Sequence, residues 1–479
     1  MDRSLLKHLP IAIVGAGPVG LAAAAHLLAL GEEPLVFESG PTVGTAMLAW
    51  GHVRLFSPWR YVVDGVAEAM LAETGWVSPD PDLYPTGRDV VEQYLEPLAA
   101  IPALRSRLRL GSRVVQISRD GFDKMKSPGR DAAPFLLVVC GPAGRDELVR
   151  ARAVIDATGT WGTPNPLGGS GIPALGEAAL ADRIADGIPD PFDADRDTYV
   201  GRRVLVVGSG HSAFNVLLDL VDLADEAPGT AITWAIRRPS ERLGHLFGGG
   251  AADALPARGA LGVRVRRLID DGRVRLVTGF SVARLTDTEA GIVVAAEDQV
   301  LPPVDRIVAA TGFRPDLTLL AELRLDLDPA VESPAALAPL IDPNLHSCGS
   351  VPPHGEAELR QPESGLYVVG MKSYGRAPTF LMITGYEQVR SIACALAGDI
   401  EGARDVRLVL PETGVCSSGI LETPAAISVE AAPCCSLAAV DLASPTDTRG
   451  SAATASGCRD SRRPEPIQLT GATRGAHGG

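Results

Sequence analysis

The chain is 479 residues long, 46% hydrophobic and 21% charged, which suits a folded protein of two or three domains and excludes a fibrous or low-complexity one. Its formal net charge of -14 argues against a nucleic-acid backbone or an anionic membrane as partner, because both attract clustered lysine and arginine. The apolar stretch from Leu9 to Leu30 is broken by Gly15, Gly17, Pro18 and Gly20, so neither an export signal nor a membrane span is expected and the expected address is cytoplasmic.

Ile11-Ala12-Ile13-Val14 breaks into Gly15-Ala16-Gly17-Pro18-Val19-Gly20 and then into an Ala/Leu-rich run, the pattern of strand, tight turn and helix. Gly15 permits the turn, Gly17 lets backbone approach a pyrophosphate, and Gly20 lets the helix pack on the strand, with free N–H groups at the helix start facing the anion. Leu35-Val36-Phe37-Glu38 supplies a second strand ending in an acid, where a ribose hydroxyl needs an acceptor. The segment Trp50 to Tyr61 is rich in aromatics and arginine. Trp50, Arg54 and Ser57 are candidates to cover a flat cofactor ring, and core filling by the two tryptophans is an equal alternative. Thr86 to Leu95 has helical spacing with Thr86 as cap, and Val114–Ile117 and Phe135–Val139 read as strands of a surface hairpin.

Ala153-Val154-Ile155-Asp156-Ala157-Thr158-Gly159 is a buried-type strand ending in a small-residue turn, nearly duplicated by Val304 to Gly312. Between them, Arg203 to Ala213 repeats the first grammar with Gly208, Gly210, His211, Ser212 and Ala213 at the turn. The following strand, Ala231–Ile236, ends in Arg237-Arg238 instead of an acid, which suits the 2′-phosphate of NADPH. Two such units imply two dinucleotides, FAD in the first and NADPH in the second.

These four stretches, with Thr158, Gly159, Thr311 and Gly312 closing the two units, resemble the two-dinucleotide-binding-domain flavoproteins over about residues 10 to 400. Within them the chain resembles the flavin-dependent monooxygenases, in particular the flavoproteins of bacterial arsenic-resistance gene clusters. The expected fold is therefore α/β, with two Rossmann-like dinucleotide-binding domains. The resemblance implies a first part of the FAD domain at 1–165, an inserted NADPH domain at 166–300, and a second part of the FAD domain at 301–401. It also implies that Gly370-Met371 lie on a turn at the flavin, where backbone N–H groups meet the pyrimidine edge and Lys372, Tyr374 and Arg376 are candidates to face the ring. A surface role for Lys372 or Arg376 is the alternative. Monooxygenases of this type carry a histidine signature before the second glycine loop, and Pro166 to Val207 contains no histidine. No C-x-x-C pair occurs either, which sets the chain apart from disulfide reductases with paired redox cysteines.

From about Gly402 the composition turns to Ala, Ser, Thr, Pro and Gly, the pattern of a disordered Cys-containing tail at 402–479. Its Leu410–Gly414 pentapeptide matches a cell-wall sorting motif without the apolar span and basic end that such a signal needs. Four of the seven cysteines lie in this tail. Cys416, Cys434 and Cys435 either are free thiols or converge on trivalent arsenic or another thiophilic ion. The reading is an FAD-dependent, NADPH-oxidising enzyme acting on a small molecule, with oxygenation of a soft nucleophilic or metalloid-related substrate as its leading chemistry. The alternatives are a flavin reductase or oxidase without oxygen transfer, and a thiol-based metalloid binder or redox sensor; no catalytic side chain is assigned.

Overall fold

The computed structural model describes residues 6–247, 256–345, 351–377 and 380–407. Strand β1 (Ile11–Val14) is buried along its whole length, as befits the centre of a parallel sheet covered by helices. It pairs with β2 (Pro34–Phe37) on one side and β7 (Ala153–Asp156) on the other, and β3 (Leu108–Arg109) and β15 (Leu366–Val368) complete the sheet in the order β15-β7-β1-β2-β3, all parallel. The helix Pro18–Ala29 begins with a proline, whose missing N–H costs nothing in the first turn. Its Ala22, Ala23, Ala24 and Ala25 are fully buried, because small side chains let it lie between β1 and the helix Met382–Ala397.

A three-stranded antiparallel sheet, β4 (Arg113–Arg119), β5 (Phe135–Cys140) and β6 (Asp146–Ala151), stands beside this unit. The first two strands are those that sequence reads as apolar runs; β6 is largely exposed and charged, so its pairing leaves no hydrophobic signature. The buried Glu363 accepts from Arg119 Nε at 3.0 Å, Arg130 Nε at 2.7 Å and the Arg324 N–H at 3.1 Å, tying the sheet's loops to the approach to β15. Burial pushes the Glu363 carboxyl up, but these donors outweigh it and hold it below its ordinary value.

The second parallel sheet comprises β8 (Ile184–Asp186), β9 (Arg203–Val207), β10 (Ala231–Ala235), β11 (Arg275–Val277) and β14 (Arg306–Ala309), in the order β11-β10-β9-β14-β8. A ribbon of β12 (Arg284–Thr288) and β13 (Gly291–Ala295) adjoins it. The expected boundary at residue 300 is corrected here: β14 pairs with β9 from Arg306↔Val204 to Ala309↔Val207, so the second unit extends through Ala309. The chain then returns along itself, with the Asn165 N–H donating to the Gly312 carbonyl at 2.9 Å and the Arg314 N–H to the Thr163 carbonyl at 3.0 Å. Among the described residues no helix is long and apolar enough to cross a membrane.

Candidate functional site

The register of the first sheet brings one set of loops together. Val14 is level with Phe37 and Asp156, and Asp156 with Val368, so Gly15–Gly20, Glu38, Thr158–Gly159 and Gly370–Met371 all leave the same carboxyl edge. That edge, where neighbouring connections diverge, is where open parallel sheets bind ligands. Gly15 has φ +102°, and a Cβ there would lie 2.7 Å from the Ala157 carbonyl oxygen; one on Gly20 would collide with the Gly15 carbonyl oxygen. Gly17 differs, because a Cβ there meets no atom within 4 Å. No neighbour in the protein demands glycine at that position, and the open space matches an external group approaching the backbone. Gly17 caps the Pro18–Ala29 helix without any side-chain hydrogen bond, which leaves that helix start able to receive an anion.

The Glu38 carboxylate is held by two backbone donors, the Ala16 N–H and the Gly40 N–H, both at 2.8 Å. It is thereby fixed beside the glycine loop with lone pairs remaining for a hydroxyl. Gly159 has φ +67° with nothing near its absent side chain, and Gly370 has φ +66° with its α-carbon face against Val19, one residue into the Pro18–Ala29 helix. Thr158 is tied inward: its hydroxyl donates to Asp156 Oδ1 at 2.7 Å and accepts from Lys372 Nζ at 2.9 Å.

The second edge repeats this construction. Val207 is level with Ala235 and Ala309, which gathers Gly208–Ser212, Arg237–Arg238 and Thr311–Gly312. Gly208 has φ +128° and a Cβ there would collide with the Ala310 carbonyl oxygen, whereas one on Gly210 meets nothing within 4 Å. Gly210 caps the His211–Glu226 helix, again without a side-chain hydrogen bond, and His211 and Ser212 form its first two positions. The Trp234 indole N–H donates to the Gly208 carbonyl at 2.6 Å, a clamp with no local sequence signal. Thr311 donates its hydroxyl to the Asn165 carbonyl at 2.6 Å, and Gly312 has φ +85°. The two arginines separate: Arg237 Nη1 donates to the Gly169 carbonyl at 2.7 Å, while Arg238 Nη1 is buried without a hydrogen-bond partner. A buried guanidinium nitrogen lacking an acceptor suits a phosphate oxygen.

The Trp50 to Tyr61 segment bridges the two units. Trp59 is buried in the core beneath the first sheet, Val53 belongs to the core of the second unit, and Trp50 packs against both. The Phe56 ring lies 5.3 Å from the His211 ring at the second glycine loop. Arg54 is exposed and donates to the Tyr84 carbonyl, and Ser57 is buried. Trp161, just past Gly159, stands 4.7 Å from the Phe313 ring and 6.5 Å from the Trp50 ring. It fills the space that a side chain on Gly187 would need.

Lys372, Tyr374, Arg376 and Asp219 meet partners that local sequence does not specify. Lys372, a candidate to face the ring, is fully buried and pairs with Asp156 at 2.7 Å, bolting the Gly370 turn beneath the Thr158 loop. Tyr374 is also buried, its ring 5.1 Å from Phe380, and Arg376 instead makes an ion pair with Glu332. Asp219, on the helix behind the second glycine loop, is pushed up to about 7 by burial and by Asp222 and Asp190, against the pull of Arg264. Among the described cysteines, Cys140 lies on β5 and Cys394 on the Met382–Ala397 helix, neither on a loop of these edges. The thiol of Cys140 is pushed up by a hydrogen bond to Asp146, and that of Cys394 by burial. Cys416, Cys434 and Cys435 lie outside the described residues.

Residues 9–333 match the family model described as pyridine nucleotide-disulphide oxidoreductase. A ferredoxin–NADP reductase from Salinispora tropica is 30% identical over 325 residues, covering 67% of this chain and 80% of that protein. Among solved structures, a bacillithiol disulfide reductase from Bacillus cereus aligns with TM-score 0.59 at 20% identity, over 81% of this chain and 99% of that one. A cadaverine monooxygenase from Erwinia amylovora, solved bound to FAD, aligns with TM-score 0.56 at 14% identity, over 85% and 98%. At such identities the two structures share the fold.

Proposed function

The chain belongs to the pyridine nucleotide-disulphide oxidoreductase family, and from that premise we propose an FAD-dependent, NADPH-oxidising enzyme that passes its electrons to dioxygen and oxygenates a soft nucleophilic centre of a small molecule. The observation that carries the cofactor assignment is the pair of glycine loops, each with a second glycine facing open space and a helix start without a side-chain cap. FAD lies on the first edge, with Gly15, Gly17, Pro18, Gly20 and Glu38 at its pyrophosphate and ribose. Thr158, Gly159, Gly370 and Met371 lie toward the ring. NADPH lies on the second edge, with Gly208, Gly210, His211 and Ser212 at the pyrophosphate, Arg238 at the 2′-phosphate and Arg237 beside it. Bound FAD supplies the two-electron chemistry, accepting hydride from NADPH and releasing the electrons to an acceptor.

What the chain contributes is alignment and exclusion of water. The paired connectors at Thr163–Asn165 and Gly312–Arg314 and the aromatics Trp50, Trp161 and Phe313 hold the two units against each other, as hydride transfer between two rings requires. In the oxygenation, one oxygen atom enters the substrate and the other leaves as water, with NADPH and one proton supplying the reducing equivalents. The position of the two described thiols supports this exit for electrons over a thiol relay, since Cys140 on β5 and Cys394 on the Met382–Ala397 helix both stand away from the loops of the two edges. The similarity to a ferredoxin–NADP reductase favours a second reading, a reductase with another electron carrier as partner. Aerobic and anaerobic NADPH oxidation across candidate substrates separates the two. Oxygenation needs dioxygen and a substrate and releases no peroxide when coupled; substrate-independent turnover with peroxide release, or full anaerobic turnover with a carrier, would sink it.

The link to metalloid chemistry rests on Cys416, Cys434 and Cys435 as a three-thiolate site for trivalent arsenic. Full-length protein is expected to bind about one arsenic per chain in the manner of such sites, and a chain truncated after Arg407 to lose it while keeping FAD and NADPH oxidation. Equal binding by both would remove the tail from the proposal.

A further inference from the structure

Gln388 lies on the Met382–Ala397 helix, fully buried, and its Oε1 accepts the Gly370 N–H at 2.8 Å. Its Nε2 donates to Ser373 Oγ at 3.0 Å and stands 3.1 Å from His354 Nε2. The Ser373 hydroxyl in turn donates to the Gly370 carbonyl at 2.8 Å. His354 is also buried, and its Nδ1 is 3.1 Å from the Pro352 carbonyl oxygen. A carbonyl only accepts, so Nδ1 carries the ring proton and Nε2 of the neutral imidazole accepts from the Gln388 amide. Every polar atom of the Gln388 side chain is thus engaged, and the direction of its amide is decided at both ends.

We propose that His354 and Gln388 are positioning residues for the bound flavin: neutral His354 fixes the orientation of the Gln388 amide, and that orientation holds the Gly370 turn in place. The proposal rests on the reading that this turn faces the flavin, which its packing on Val19 at the start of the Pro18–Ala29 helix supports. A proton added at His354 Nε2 would set two donors face to face. Rotating the Gln388 amide relieves that contact, but it turns the amide N–H groups toward the Gly370 N–H and releases the turn. Protonation of one buried ring is thereby read out at the backbone of the flavin loop.

Burial lowers the His354 pKa, while Glu358 on the short helix following it and Glu387 beside Gln388 pull it upward. The third neighbour is the Tyr374 ring of the Gly370 turn, 5.8 Å away. The transition therefore belongs below the ordinary imidazole value of about 6.5.

The test uses the FAD-loaded enzyme and its His354→Gln, Gln388→Glu and Gln388→Leu variants, between about pH 5 and 8. FAD dissociation constant, flavin midpoint potential and melting of the flavin-free protein are measured in parallel. At the alkaline end His354→Gln matches the unmodified protein; toward the acid end the unmodified protein weakens FAD binding roughly tenfold and His354→Gln does not. Gln388→Glu keeps an acceptor for the Gly370 N–H and neutralises protonated His354, so it abolishes the acid-side loss. Gln388→Leu weakens FAD at every pH, and where it does not fold the other two variants decide. Superimposable pH profiles of the unmodified protein and His354→Gln overturn the role of His354. Unchanged FAD affinity and potential in Gln388→Leu, with lowered melting, mean instead that the Gly370 turn does not face the flavin.

Discussion

At the residue scale the glycines of the two loops divide by what lies in front of them. Gly20 faces the backbone carbonyl of Gly15, and Gly17 faces nothing in the protein. Gly20→Ala is accordingly expected to lower the melting temperature of the flavin-free protein by several degrees, the scale of a change of about 1–3 kcal/mol. Gly17→Val should leave that melting unchanged and abolish stoichiometric FAD, as absorbance of the purified protein will report; retention of FAD would refute the first-edge assignment. The arginines divide in the same way. Arg238→Ala, which removes the guanidinium with an unpartnered buried nitrogen, should raise the KM for NADPH about tenfold or more and leave NADH nearly unaffected. Arg237→Ala, whose group already serves the Gly169 carbonyl, should have the smaller effect in the same steady-state comparison. Sequence displays both arginines after β10 alike; which of them lacks an acceptor depends on the distant Gly169 carbonyl.

At the scale of elements, the His211–Glu226 helix starts at the second glycine loop and carries an unfavourable carboxylate. Asp219 sits at about 7 rather than near 3.8. The folded state therefore keeps a proton that the unfolded chain has already lost. This contribution is fully present below pH 3.8 and disappears as pH rises through about 7. Asp219→Asn, which imitates the protonated form, should melt above the unmodified protein at pH 8 by an amount worth on the order of 2–4 kcal/mol, with the gap closing toward pH 4. A constant gap across that range in thermal melts would show that Asp219 ionises normally. The elements themselves were unevenly legible. β1, β2, β9 and β10 announce themselves as apolar runs ending in turns. The three-residue β8 and the charged β6 do not, because each is held by pairing rather than by its own buried face.

At the scale of the whole molecule, the two nucleotide edges serve one reaction only if the units hold a fixed mutual placement. Trp161 is a side chain committed to that placement, set against Phe313 and over Gly187. Trp161→Ala should leave FAD content and NADPH affinity within about twofold and slow flavin reduction by NADPH at least about tenfold in stopped-flow absorbance. An unchanged reduction rate would mean that the connectors alone align the rings.

Sequence by itself determined the two dinucleotide units and their glycine turns, and it showed an acid after β2 and arginines after β10, because those signals are local: a turn needs glycine, a strand end carries its own polar residue. The Gly370 turn came from the family resemblance, and the structure sets it between β15 and the Met382–Ala397 helix. Only the tertiary structure decided the register by which β14 pairs with β9 and β8, that Lys372 turns inward to Asp156, and that His354 reaches Gln388. Register between strands and pairing of buried polar groups join residues tens to hundreds of positions apart, and no local pattern encodes which partner a buried charge or amide will meet.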